Sequence, residues 1–285
     1  MKNLNSAGNG NRKLFFALRI ACMVALGISL LCLLAVVAYV IINGVGKISS
    51  ELLFGDYSVT PSILPAFVGT LQLVAISILI AVPIGVASAI FLVEYTNNKG
   101  RLMRVIQVAT ETLAGIPSIV YGLFGYLIFV VAFGWGYSML GGGITLAIMI
   151  LPTIVRSTQE SLIAVQGGLR EGAYALGASK VRTIFKIVLP SAAGGIVTAI
   201  ILAIGRVVSE SAVLILTIGM VVKDIPASLM SPGTSLALDI YYFASHGYPD
   251  EAAATAVVLL VFVICLNLLA GGLGRLIKKS TGETK

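Results

Sequence analysis

From Thr112 to Val155 the chain runs for 44 residues without a charged side chain. Wound as one α-helix, that stretch would extend about 66 Å, twice the hydrocarbon thickness of about 30 Å that a single bilayer crossing needs. The chain must therefore cross, turn and cross back inside it. The glycine-rich GWGYSMLGGG at 134–143 is the place for that turn, so one span starts at about Val105 and the next ends near Val165. Composition agrees. Of the 285 residues 58% are hydrophobic and only 11% charged, with a mean hydropathy of +1.03. That is too much apolar surface for a water-soluble interior to hold, so much of the outside must face lipid.

The remaining uncharged runs complete the pattern. Ile20–Ile42 is long enough to cross once, and so is Ile63–Val93, in which Pro65 lies near the start and Pro83 predicts a kink. Ile187–Gly205 begins a fifth span that is expected to continue through Arg206 and Glu210 toward Gly219, and Ala252–Gly274 forms a sixth. The expectation is an all-α integral membrane protein of about six transmembrane helices in one domain. Residues 1–19 form an N-terminal segment, 20–62 the first span and its loop, 63–275 the core and 276–285 a tail. The 23 apolar residues after Arg19 are too long for a signal-peptide core and lack an obvious small-residue cleavage site, so they read as a retained span.

The net charge of +7 is distributed by side rather than clustered into a nucleic-acid surface. Lys and Arg concentrate in the N-terminus, the 94–104 turn, the 166–186 connection and the C-terminus, whereas the opposite loops carry only Lys47 and Lys223. The positive-inside rule then puts both termini in the cytoplasm, which an even number of spans requires. Cys22, Cys32 and Cys265 all lie in apolar runs, without the spacing of a metal site or a redox dithiol.

Between the fourth and fifth spans lies AVQGGLREGAYALGASKVRTIFKIVLPSAAGG, where a short hairpin would suffice. LREGAYAL reads as a short helix with Leu169, Ala173 and Leu176 on one face. Gly177 permits a turn after it. A basic helix, SKVRTIFKIV, leads to Leu189-Pro190, where proline at a first helical position suits the start of the fifth span. Composition alone leaves open whether this segment docks a partner or merely returns the chain.

The spacing of this segment is similar to the EAA loop of the membrane subunits of binding-protein-dependent ABC importers. Glu171-Gly172-Ala173 is followed after three residues by Gly177, and after nine more by Ile187-Val188-Leu189-Pro190, with Gly172 standing where the family has alanine. IPSIVYGLFG, LPTIVRSTQESL and IILAIGRVVSES resemble the corresponding stretches of phosphate-specific permeases, most closely their A-type subunits, over roughly residues 63–275. The resemblance implies a type I importer permease architecture of the MetI-like kind. It implies that Arg170, Glu171, Ala173, Gly177, Ile187, Leu189 and Pro190 belong to the contact with a cytoplasmic ATPase. It implies as partners a C-type phosphate permease subunit in a heterodimer, two ATPase copies and an external phosphate-binding protein. ATP and magnesium would be used by the ATPase, with no cofactor on this chain and no nucleic acid. Transport would proceed by alternating access, with closure of the ATPases moving the segment at 169–179.

Ionised groups inside an apolar span are expensive and mark function by default. Arg206 and Glu210 stand four residues apart, a spacing that predicts one helix face and a pair, and Arg156 and Glu160 repeat it in the fourth span. Glu111 is the remaining charge near a span end. Arginine suits an anion path because its planar fork donates two hydrogen bonds to one phosphate and stays charged. Arg206 and Arg156 are therefore expected to line the path, with Glu210 and Glu160 as resting counterions and Ser209, Ser211 and Thr198 as weaker hydroxyl donors. His246, with Tyr241, Tyr242 and Phe243, predicts either an interfacial aromatic belt or a docking surface for the binding protein.

No G-x4-G-K-[ST], HExxH or GxSxG occurs in the chain, so the energy for transport must come from a partner. Two rivals share the composition. One is an importer for another oxyanion or solute, which Arg206 does not distinguish. The other is a proton-coupled carrier using Glu111, Glu160 and Glu210 as a relay, against which an ATPase-docking loop argues.

Overall fold

The computed structural model describes residues 4–55, 57, 61–96 and 100–280. Of the basic residues that set the expected orientation, Lys2, Lys99 and Lys285 lie outside the described residues. So do the side chains of Arg12, Lys13, Arg101, Arg275, Lys278 and Lys279.

The described residues are helical, with no strand among them. Helix α1 (Leu4–Gly44) is followed by the short α2 (Ser50–Phe54) and by α3 (Leu64–Ile90), which ends in a π-helical turn at Phe91–Tyr95. Next come α4 (Arg101–Ala114), α5 (Ser118–Gly125) with a π turn at Tyr126–Ala132, and α6 (Met139–Ile163). Then follow α7 (Gly167–Ala175), α8 (Lys180–Thr183), a π turn at Ile184–Val188, and α9 (Leu189–Val208). Finally α10 (Ala212–Thr217) and α11 (Leu236–Ser245) lead to α12 (Pro249–Ser280). Five helical stretches are long and apolar enough to cross a bilayer: Leu14–Lys47, Leu64–Tyr95, Met139–Ile163, Lys180–Val208 and Pro249–Leu269. The pair Arg104–Ala114 and Ser118–Ala132, bent by 98°, makes a sixth when counted together as one broken span.

That bend corrects the third span, which the sequence reading carried straight through from Val105. Pro117 removes a helical donor and disfavours the helical conformation for Ile116 before it, so α4 stops at Ala114 and α5 restarts at Ser118. The Tyr121 hydroxyl donates to the Leu113 carbonyl at 2.7 Å and pins the corner. The turn that follows is also shorter than expected. Gly134 and Gly136, both at φ +66°, make it, and Ser138 caps α6 by accepting from the Gly141 N–H. Gly141, Gly142 and Gly143 are therefore the first turn of a helix, and two of them are bare because neighbours press on them. A Cβ on Gly142 would lie 2.3 Å from Ile218 and one on Gly143 2.5 Å from Ile76.

The fifth span likewise begins earlier than Ile187. Helix runs unbroken from Lys180 to Val208. Pro190 sits inside it, and the wider π turn just before Leu189 accommodates the missing donor. At its far end the span stops short of the expected Gly219, breaking at Ser209–Ser211 before α10.

The core is centred on α6, whose buried Leu146, Met149, Ile150 and Ile154 pack with Leu73 and Ala81 of α3, Ala203 and Val207 of α9, and Val213 and Leu214 of α10. Interhelical approach is close, as small residues allow. Ser77 of α3 donates to the Gly143 carbonyl of α6 at 3.1 Å, and Gly195 of α9 faces Ser161 of α6. By contrast, α1 from Leu14 is exposed on nearly every side and meets α12 where Gly44 abuts the Ala253 backbone.

Candidate functional site

The charged residues inside the spans separate into two groups. Arg206 occupies the last turn of α9 and is half-buried. Its expected partner is turned away, because the helix ends at Val208 and the i, i+4 geometry is lost. Glu210 instead accepts from the Val213 N–H at 3.3 Å and caps α10. Among the described residues no ion pair joins Arg206 to Glu210. Ser209 is spent on its own backbone, donating to the Gly205 and Arg206 carbonyls, and Thr198 bonds the Gly194 carbonyl in the same way. Ser211 stands at the N-cap of α10 without a side-chain capping bond.

In α6 the helix continues through the pair, and the expected contact forms. Arg156 Nε lies 3.4 Å from Glu160 Oε1, and its Nη1 lies 3.8 Å from Glu111 Oε1 of α4. All three side chains are more than half exposed in the isolated chain, around a cavity of about 180 Å³ completed by Gln107, Thr110 and Gln159. Glu160 also borders a larger cavity of about 780 Å³ between α6 and α9, where Ser157, Ser161, Ser191, Thr198 and Leu202 line the wall. Thr198, Leu202 and Arg206 follow at four-residue intervals on one face of α9. Arg206 lies about 12 Å of helix rise beyond Thr198, on the same helix that walls the large cavity but past its last lining residue, Leu202.

The α7 segment lies at the end of α6. Gly177, at φ +81°, terminates it in the left-handed conformation, with the Ala178 N–H bonded to the Ala173 carbonyl. The face expected from spacing is only partly buried. Ala173 is inside, but Leu169 is 46% exposed and Leu176, past the last helical residue, is 91% exposed. Glu171 also faces outward, Ile187 and Leu189 are half-buried, and Pro190 lines the large cavity. Arg170 does the opposite of what an outward contact requires. Its guanidinium turns inward and donates to the Leu162 and Val165 carbonyls, both at 2.8 Å, and to Glu94 Oε1 at 3.0 and 3.2 Å. Glu94 is only 7% exposed. The sequence reading passed over Glu94, although an acid ending an apolar run beside a basic turn was a visible signal.

Asp239 was also passed over. It is fully buried in α11, where Thr234 donates to its Oδ1 and Oδ2 has no partner. Burial pushes its carboxyl up to about 7. The neighbouring aromatics divide. Phe243 is core, whereas Tyr241 is 53% exposed and Tyr242 stacks on His246 at 4.0 Å. Among the described residues no three His, Cys, Asp or Glu gather to hold a metal ion.

Comparison with known proteins follows the same lines. A probable ABC transporter permease, YqgI of Bacillus subtilis, is 33% identical over 87% of this chain and 90% of its own length. The phosphate transport system permease PstA of Xylella fastidiosa is 35% identical over 73% of each chain, and PstA 1 of Mycobacterium tuberculosis is 35% identical over 72% of this chain and 68% of its own. Among solved structures, a bacterial alginate ABC transporter chain aligns over 93% of this chain and 95% of its own with a TM-score of 0.67 at 16% identity. A chain of the inward-facing MetNI methionine transporter aligns over 73% and 94% with a TM-score of 0.60 at 20% identity. Residues 81–282 match the family described as the binding-protein-dependent transport system inner membrane component, and the chain belongs to it as a multi-pass ABC permease subunit.

Proposed function

We propose that this chain is the A-type membrane subunit of an ATP-driven phosphate importer. It forms part of the inorganic phosphate path and couples it, through the loop at about 166–190, to a separate ATPase that uses ATP and magnesium. The observation that carries the anion reading is Arg206 in the last turn of α9, the helix that also walls the large cavity: a half-buried guanidinium with no carboxylate partner among the described residues. A dehydrating anion needs such a donor, and arginine supplies it at any physiological pH. The names of the PstA relatives support phosphate as that anion. Arg156, held between Glu111 and Glu160, is a gated donor that must leave one carboxylate to meet substrate. Glu210, Ser209 and Ser211 shape the break beside Arg206.

The partners in this reading are a C-type permease in a heterodimer, two ATPase copies and an external phosphate-binding protein. Both termini and α7 lie on the cytoplasmic side of the cell membrane. The core spans 63–275, preceded by the N-terminal segment and first span at 1–19 and 20–62. A proton relay through Glu111, Glu160 and Glu210 is disfavoured, because each carboxylate already has a partner in Arg156 or the α10 backbone.

The test is ATP hydrolysis by the complete complex in liposomes with its binding protein, comparing phosphate, sulfate and no anion. Stimulation by phosphate alone is expected. Stimulation by sulfate or another solute instead would leave the fold standing and reassign the substrate.

A further inference from the structure

The ring of contacts around Arg170 is larger than a short surface helix needs for its own stability. The last carbonyls of a helix lack i+4 donors, so at the end of α6 the Leu162 carbonyl receives only local bonds from the Ala164 and Val165 N–H groups, and a cation there also meets the negative end of the helix dipole. Arg170 fills that position at the Leu162 and Val165 carbonyls while its fork closes on Glu94. Glu94 can reach it because α3 ends in a π turn, which rotates Phe91–Tyr95 relative to the α-helix before it. The next residue makes a second tie. The Lys180 ammonium of α8 lies 4.5 Å from the centre of the Tyr95 ring. The end of α3 therefore holds the chain on both sides of the Gly177 turn, and Arg170 binds α3, α6 and α7 together.

We propose that Glu94 and Arg170 form a positioning clamp that carries displacement of α7 into α3 and α6, so that the three move as one body when the ATPase acts. The assignment rests on α7 being the ATPase contact. It gives Arg170 a role inside the permease and not on its docking surface, and it gives Glu94 a role in coupling. Surface residues such as Glu171 and Tyr174 receive the push, and the buried pair transmits it to α3 and to α6, which forms one wall of the large cavity.

The experiment uses the whole complex in liposomes with its binding protein. The double variant Glu94→Gln, Arg170→Met removes both buried charges together, so no lone charge is left to unfold the permease. Glu94→Asp, which keeps the charge on a shorter stem, serves as the conservative comparison. ATP hydrolysis is expected to persist in the double variant while phosphate moved per ATP falls about tenfold, within the range that coupling residues command. Glu94→Asp is expected to recover part of that ratio. A merely structural loss would lower hydrolysis and transport together, and an unchanged ratio would overturn the clamp.

A second readout needs no substrate. Spin labels at Ile84→Cys of α3 and Leu31→Cys of α1, both exposed positions, are placed in a background lacking Cys22, Cys32 and Cys265. MgATP is expected to change their separation with the clamp intact but not in the double variant, and the same change in both would refute the proposal. If phosphate failed to stimulate the wild-type complex but the nucleotide-driven change still required the pair, the substrate reading would fall and the clamp would stand.

Discussion

A carboxylate with no exposure, one hydroxyl donor and no cation beside it is easier to keep protonated than to ionise, and Asp239 is in that position. Its folded value of about 7 lies above the ordinary 3.8, so the folded protein holds a proton that the unfolded chain releases between those pH values. Stability from this group is complete below about pH 4 and is lost as pH rises through about 7, by on the order of 4 kcal/mol in total. The melting temperature of the purified protein is expected to fall between pH 5 and 8, and Asp239→Asn is expected to flatten that fall. An equally steep profile in the variant would show that another group sets it. At Arg206 the measurement is phosphate uptake. Arg206→Met is expected to reduce it about tenfold to a hundredfold, in keeping with charge-assisted bonds worth about 1.5–3 kcal/mol, and Arg206→Lys should restore only part. Normal uptake with normal assembly in both would remove Arg206 from the path. The contrast with Arg156 is instructive. Two arginine–glutamate pairs share the i, i+4 spacing, and only the one inside an unbroken helix forms.

Individual elements are shaped by what presses on them. A Cβ on Gly69 of α3 would sit 2.1 Å from the Thr234 carbonyl, a backbone atom that cannot swing aside. Thr234 begins the segment whose Leu236 N–H bonds the Thr70 hydroxyl at 3.0 Å, and the same loop offers the Leu229 and Ser231 carbonyls to the first N–H groups of α6. Gly69→Ala is therefore expected to destabilise the permease by about 1–3 kcal/mol through overpacking, read as a lower melting temperature, with Gly46→Ala, which meets open space, as the control. The Pro117 corner and the Ser138 cap have local causes, a missing helical donor and a serine hydroxyl accepting from the Gly141 N–H, but the sequence reading used neither. It did not announce that the glycines at 141–143 serve packing rather than a turn, because flexibility and smallness use the same residue.

At the scale of the whole molecule the untested quantity is sidedness. Leu176 is 91% exposed at the end of α7, which makes it a reporter. With the three native cysteines replaced, Leu176→Cys is expected to react with a membrane-impermeant thiol reagent in inverted vesicles and not in intact cells. Reaction in intact cells would reverse the orientation that the basic residues assign. The unpartnered surface of α1 and the open cavity between α6 and α9 agree with a subunit that works in an assembly.

Hydropathy by itself determined the class of molecule and five of its long apolar helices, because burial in lipid is decided residue by residue along a run, and local apolar spacing gave the short helix that follows α6. The EAA spacing identified the family for the same reason, being written in consecutive positions. Only the tertiary structure decided that the third crossing bends by 98°, that Arg206 and Glu210 part, and that Arg170 turns inward to a glutamate 76 residues away. Those outcomes depend on where a helix stops and which carbonyls it leaves unpaired, and a spacing rule has no access to either until the neighbouring helices are in place.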